Sequence, residues 1–270
     1  MTSITSVRQR TLHCTSKTDH TGKAVWYLGL GEPPNTTSEP NNKLLSHFRE
    51  LAKSTKDESK VDLEYLDGVI SEGADVNTVD SYGQTALHEI SGRWPVDVMR
   101  FFLDRGADVQ RADKHGVTPL HVAAALDREE MIRFLLEKQA NIEAQTIKTK
   151  ETPLHFATKY NAVGAIRILY EFGAGMNARD YKQRTPLHLA ANEDRSEAAR
   201  TLIKLGADAR VCDSDRQLCI TAMISRMAPV AQLALDQFYA TDSVTGRQTF
   251  YLHLLEPKQS FQDENGPKGY

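Results

Sequence analysis

The sequence has little cysteine, no long apolar run and no excess of charge of one sign, and each shortage closes off a class of function. Its three cysteines, Cys14, Cys212 and Cys219, are an odd and scattered set. They make neither a disulfide framework nor a metal-ligand cluster, and they fit a reducing compartment. No run approaches the roughly 18 apolar residues that mark a membrane-spanning helix. Arg8 and Arg10 lie near the start without an apolar stretch behind them. No secretory signal is read, and a cytoplasmic location is expected. Lys and Arg number 33 against 36 Asp and Glu, a net charge of −3 with the signs mixed. No bulk attraction to nucleic acid or to an anionic membrane follows.

Catalytic signatures are lacking too. No serine sits in a Gly-x-Ser-x-Gly context, no Cys-His arrangement belongs to a motif, and no acid pair stands out from ordinary surface charge. Gly29 and Gly31 are followed by Pro33 and Pro34, with no Lys-Ser/Thr pair, so a phosphate loop is not read. Neither enzyme activity nor a cofactor nor a metal is expected.

What the chain does have is a repeat. Thr118-Pro119-Leu120-His121 recurs as Thr152-Pro153-Leu154-His155 and Thr185-Pro186-Leu187-His188, and Thr85-Ala86-Leu87-His88 precedes them. The step is about 33 residues, the range of solenoid repeats. A second string keeps the same step: Gly73-Ala74-Asp75-Val76, Gly106-Ala107-Asp108-Val109, Gln139-Ala140-Asn141-Ile142, Gly173-Ala174-Gly175-Met176 and Gly206-Ala207-Asp208-Ala209.

Each part of the unit has a physical purpose. Thr offers a capping hydroxyl, and Pro suits the first helical position, where its missing N–H costs nothing. Leu is expected to point inward. A second helix follows, with apolar residues at i, i+1, i+4 and i+5: Val98, Met99, Phe102 and Leu103. Shifted by one unit these become Met131, Ile132, Leu135 and Leu136, then Ala165, Ile166, Leu169 and Tyr170, then Ala198, Ala199, Leu202 and Ile203. Tyr65, Leu66, Val69 and Ile70 stand one unit earlier. That spacing is a helix face buried by neighbours. Glycine after this helix permits a left-handed cap. Asp80-Ser81-Tyr82-Gly83 and Asp113-Lys114-His115-Gly116 read as tight turns. The unit resembles the ankyrin repeat closely over residues 62–210. The resemblance implies an all-α solenoid of paired antiparallel helices, with about six repeats including degenerate ends.

In chain order, residues 1–40 form an arm that is not repeat-like. Its apolar cluster, Val25-Trp26-Tyr27-Leu28-Gly29-Leu30, reads as a short strand or a docked arm, and residues 32–42 as linker. The repeat domain runs from 41 to 238. Leu44, Leu45, Phe48 and Leu51 open it as a degenerate first repeat, which departs from consensus because a terminal repeat must cap the stack. The last repeat, from Asp213, puts Cys219 where the others have Pro, and a buried, inert thiol is expected there. Cys212 is expected to be the more exposed. Residues 239–270 form a tail.

His88, His121, His155 and His188 recur once per repeat. Zinc needs ligands at about 2 Å, whereas stacked helices lie roughly 8–10 Å apart, so these histidines read as packing and hydrogen-bonding groups. Function falls instead to a macromolecular surface, with a protein partner on the concave face and loop tips. The fingertip turns offer Tyr82, Lys114, His115, Tyr181, Lys182 and Arg184. The turns between paired helices offer Trp94, with Arg93, Asp127, Arg128, Tyr160, Asn161, Glu193 and Arg195. Tyr, Trp and Arg most often carry binding energy. The third turn, Thr146-Ile147-Lys148-Thr149-Lys150, lacks the usual Asp and Gly. As a longer, positively charged fingertip it reads either as a contact for a partner or, the favoured reading, as a solvated loop variant.

The tail has a resemblance of its own. Arg247-Gln248-Thr249-Phe250-Tyr251-Leu252 and Leu254-Leu255-Glu256-Pro257 look like the segment after the ankyrin stack in invertebrate TRPA-type cation channels, of the pyrexia and water witch kind. In that family a cytosolic ankyrin array precedes six membrane helices. The resemblance implies the cytosolic ankyrin part of such a channel, as a fragment or short isoform, with channel subunits as partners and no membrane insertion by this chain. The family's electrophile-sensing cysteines have no counterpart at Cys14, Cys212 or Cys219. The other reading is a free-standing soluble adaptor or inhibitor.

Overall fold

The computed structural model describes residues 17–18, 24–25, 38–53, 61–241 and 248–250. Most of the arm, the charged stretch 54–60 and most of the tail lie outside the described residues. Twelve helices are present among them, in six consecutive pairs. The pairs are α1 (Glu39–Lys53) with α2 (Leu63–Ser71), α3 (Ala86–Arg93) with α4 (Val96–Leu103), and α5 (Pro119–Ala125) with α6 (Glu129–Glu137). Then come α7 (Pro153–Lys159) with α8 (Val163–Glu171), α9 (Pro186–Asn192) with α10 (Ser196–Lys204), and α11 (Cys219–Arg226) with α12 (Ala228–Leu235). The architecture is an all-α repeat solenoid. Two small antiparallel ribbons stand outside the helix pairs: β1 (Lys17–Thr18) with β2 (Ala24–Val25), and β3 (Tyr239–Thr241) with β4 (Gln248–Phe250).

Helix α1 begins at Glu39, inside the stretch 32–42 that reads as linker. The reason is local. Proline fits the first turn of a helix, and Glu39 beside it faces the positive end of the helix dipole.

Most of these helices have seven to nine residues, too few to persist alone, so their stability comes from packing. Leu87, Leu120, Leu154 and Leu187 are fully buried, as the repeated motif requires. Val98, Met99, Phe102, Met131, Ile132, Leu135, Ala165, Ile166, Leu169, Ala198, Ala199 and Leu202 line one continuous core. The outer limit of that face differs from the expectation. Tyr65 and Tyr170 are each 44% exposed. They sit at the edge of the buried stripe, where a phenol keeps its hydroxyl in water and its ring on the protein. Phe134 and Ile168 are buried instead.

Helices α3, α5, α7 and α9 each start with a capping box in which histidine replaces the usual Glu. Thr85, Thr118, Thr152 and Thr185 are extended N-cap residues, and the side chain of the histidine three residues on answers the cap's own backbone N–H. The distances from Thr N to His Nδ1 are 3.1, 3.1, 3.2 and 3.2 Å. A backbone N–H only donates, so Nδ1 is the acceptor and the proton sits on Nε2. That proton serves the following repeat. Nε2 of His88 meets Val117 O at 2.9 Å, that of His121 meets Glu151 O at 3.1 Å, and that of His155 meets Arg184 O at 3.2 Å. The recurring histidine is a link between repeats.

Two further seams join neighbouring repeats. The turns after the outer helices are stapled by side chains. Asn77 donates to Gly106 O and accepts from Asp108 N, Gln110 accepts from Asn141 N, Glu143 from Gly175 N, and Asn177 from Asp208 N. On the turns between paired helices, Arg128 donates to Trp94 O and Arg195 to Lys159 O. Asp127 accepts from Ala165 N and Asn161 from Ala198 N.

Gly116 is a position where the backbone demands glycine. Its φ is +82°, and a Cβ there would lie 2.7 Å from Ile147 N and 3.0 Å from Thr146 Cα. Gly116→Ala therefore combines left-handed strain with a backbone clash. It should cost more than about 1 kcal/mol, measured by urea unfolding. A loss within about 0.5 kcal/mol would show that the turn relaxes freely.

Candidate protein-interaction surface

The fingertip turns are built alike. In the first, Asp80 is buried and its Oδ1 accepts from Tyr82 N and Gln84 N, both at 2.8 Å. Asp113 holds His115 N and Val117 N, and Asp180 holds Lys182 N and Arg184 N, in the same way. The third turn has no Asp, and Thr146 substitutes for it: its Oγ1 accepts from Glu151 N at 2.9 Å. The left-handed residue of each turn is Gly83, Gly116, Lys150, Gln183 and Arg216 in succession. One backbone hydrogen bond ties each fingertip to the next. Lys114 N donates to Tyr82 O, Ile147 N to His115 O, Tyr181 N to Thr149 O, and Ser214 N to Lys182 O, at 2.8–3.0 Å. The tips form one stitched row, which holds their side chains at fixed spacing before any partner arrives.

Five of the seven candidate contact residues are carried on that row within reach of solvent. Tyr82 and Tyr181 are 41% and 51% exposed, Lys114 and Lys182 are exposed, and His115 is half-buried. Arg184 is diverted. Its guanidinium bonds Asp180 Oδ2 at 2.6–2.8 Å, so it braces its own turn. Trp94 is a correction: it is buried, with its ring 5.3 Å from that of Phe48. In the corresponding turns Asp127, Asn161 and Asp194 are left-handed. Trp94 is extended instead, with φ −98° and ψ 163°, and its indole packs toward α1. Asp127, Arg128, Asn161 and Arg195 are engaged in the seams between repeats described above.

At the third fingertip the sequence reading favoured a solvated loop over a partner contact. Ile147 is 66% exposed, the most exposed large apolar side chain among the described residues, and Lys148 and Lys150 follow it. An isoleucine beside lysines in a turn was the available signal.

The titratable groups inside the stack are structural. Burial lowers His88, His121, His155 and His188 below the ordinary histidine value, His121 to about 4. Glu89 follows His88 where the later repeats have Val122, Phe156 and Leu189. Burial pushes its carboxyl up to about 8, Arg93 partly offsets this, and neither carboxylate oxygen has a hydrogen-bond partner. Cys219 is fully buried, as expected, and burial raises its thiol far above the usual range. Cys212 is half-buried and burial raises it too, which lowers its thiolate fraction. Among the described residues no group of three His, Cys, Asp or Glu is placed to hold a metal ion, and no helix is long and apolar enough to cross a membrane.

Paired helices, left-handed fingertips and a repeat-to-repeat histidine link define a stacked-repeat scaffold. The chain belongs to the ankyrin-repeat family: the model of ankyrin repeats in three copies matches residues 58–146 and 140–213, more than half of its length. It is similar to human neurogenic locus notch homolog protein 4, 36% identical over 98 residues, which is 35% of this chain and 5% of that protein. Human neurogenic locus notch homolog protein 2 is 34% identical over 96 residues, covering 34% of this chain and 4% of its own length. Neurogenic locus notch homolog protein 1 of Xenopus tropicalis is 35% identical over 105 residues, 35% of this chain and 4% of that protein. The chain thus spans only a small fraction of these curated relatives.

Proposed function

We propose that this chain is a non-catalytic, cytoplasmic protein-interaction module that engages its partner through the fingertip row and the adjoining concave face. The observation behind this reading is the row itself. Tyr82 and Tyr181, of a residue type that dominates protein hot spots, stand exposed beside Lys114 and Lys182 on turns already stitched in place.

The finer identity we assign is the cytosolic ankyrin part of a TRPA-type cation channel, as a fragment or short isoform. It rests on the resemblance of residues 247–257 alone, since the family match ends at residue 213. The test is to read the transcript beyond the codon for Tyr270. Coding sequence that continues into several apolar stretches of about 20 residues supports the channel assignment. A stop codon at that point excludes a fragment and leaves a short isoform or a soluble adaptor, which co-purification with membrane-spanning channel subunits tells apart.

A further inference from the structure

The first four fingertips carry exposed charge of one sign, whereas the fifth mixes the exposed Asp215 with Arg216, and the first four point to the chemistry of what the row binds. From Ser81 to Lys182 its exposed charged residues are Lys114, Lys148, Lys150 and Lys182. The acids of the same turns are withdrawn. Asp80, Asp113 and Asp180 are buried and consumed by backbone N–H groups, and Glu151 is buried behind the third turn. Among the described residues none of the four lysines is in an ion pair. Lys114 Nζ rests on Ser81 O at 2.8 Å, and Lys182 Nζ lies 5.6 Å from the Tyr181 ring centre. Ile147 and Tyr181 add exposed apolar surface between the charges. On the outer helices the charges are mixed: Glu72 pairs with Lys43 and Glu171 with Arg133, and Glu137 stands beside the exposed Lys138.

We infer that the fingertip row is a docking strip for an extended acidic peptide segment of a partner protein. This rests on the reading of the chain as a protein-binding module and specifies the partner's chemistry. Stacked helices step by roughly 8–10 Å per repeat, and an extended chain rises about 3.3 Å per residue. Successive fingertips therefore meet every third residue of the segment. A carboxylate at that spacing meets Lys114, then Lys148 or Lys150, then Lys182, while apolar residues between them cover Ile147 and Tyr181. Nucleic acid is the poorer match. The chain is net negative, so it has no long-range field that favours a polyanion, whereas a short peptide meets only the local strip.

The test uses the full chain and two labelled peptides of about 12 residues, with Glu or Lys at every third position in an otherwise identical Ser, Gly and Leu background. Anisotropy titration at low salt should show binding of the Glu peptide and none of the Lys peptide, with affinity falling as salt rises. The triple variant Lys114→Glu/Lys148→Glu/Lys182→Glu should weaken binding by about tenfold or more at an unchanged melting temperature. The double variant Lys138→Glu/Lys204→Glu, on the outer helices, should stay within about twofold. Equal binding of both peptides, indifference to the triple reversal, or equally tight binding of a poly-dT oligonucleotide would overturn the assignment. A selection from a random peptide library separates the two readings. Binders without acidic enrichment sink the acidic strip and spare the protein-binding module, and no binders at all sink both.

Discussion

Between about pH 7 and about pH 5 the Glu89→Leu variant should lose at least about 2 kcal/mol of unfolding free energy. The cause is the four buried histidines. Each accepts a backbone N–H at Nδ1, so protonation at Nδ1 sets two donors against each other in a dry site. Their folded pKa values lie below the unfolded value, His121 at about 4 against 6.5. The unfolded chain therefore takes up protons first as pH falls through 6.5, and stability is lost from there down to the folded value. His121 alone accounts for about 2 kcal/mol over this interval, and the other three act in the same direction.

Glu89 works the other way. Its folded pKa is raised to about 8 from 4.5, so its contribution is most favourable below about pH 4.5 and is lost as pH rises toward 8. In the native chain the two trends oppose each other. Replacing Glu89 by the Leu that Leu189 already supplies one position after His188 removes the compensation. Unfolding curves in urea across the interval should thus be steeper in pH for the variant than for the native chain. Parallel curves would mean that Glu89 is ionised in the fold.

Leu154→Ala should cost about 2–5 kcal/mol, the range for deleting a buried Leu whose cavity collapses only partly. Leu154 is 1% exposed in α7, between α5 and α9, at the middle of the stack. Its loss should be felt by adjoining repeats first, because each repeat is held by its neighbours. Amide exchange should accelerate in α5, α7 and α9 ahead of α1 and α12. An unchanged denaturation midpoint would remove Leu154 from the core, and uniform acceleration would replace neighbour-by-neighbour coupling with one cooperative unit.

Much of the architecture is legible in the sequence because a repeat states its own register. A Thr-Pro-Leu-His string every 33 or 34 residues fixes where each inner helix starts, which residue caps it and which Leu turns inward. Local chemistry suffices for those choices: a hydroxyl and a ring nitrogen for orphan N–H groups, and a Pro where no N–H is needed.

The binding surface was less legible. Trp94, Arg128 and Arg195 all stand in turns that tolerate any polar residue, and the sequence treats them as free. Whether such a side chain faces water depends on atoms about one repeat away. Trp94 meets Phe48, and the two arginines reach carbonyls 34 and 36 residues back. Ile147 looked like loop filler because nothing local says whether an adjacent turn will cover it.

The sequence by itself therefore determined the period, the caps, the inward leucines and the helix pairing, because these are settled within one unit of the chain. Only the tertiary structure decided the second partner of His88, His121 and His155, the withdrawal of the fingertip acids and the exposure of Ile147. Those follow from stacking one unit on the next, which brings together groups about 30 residues apart and leaves the same residue type buried in one repeat and exposed in another.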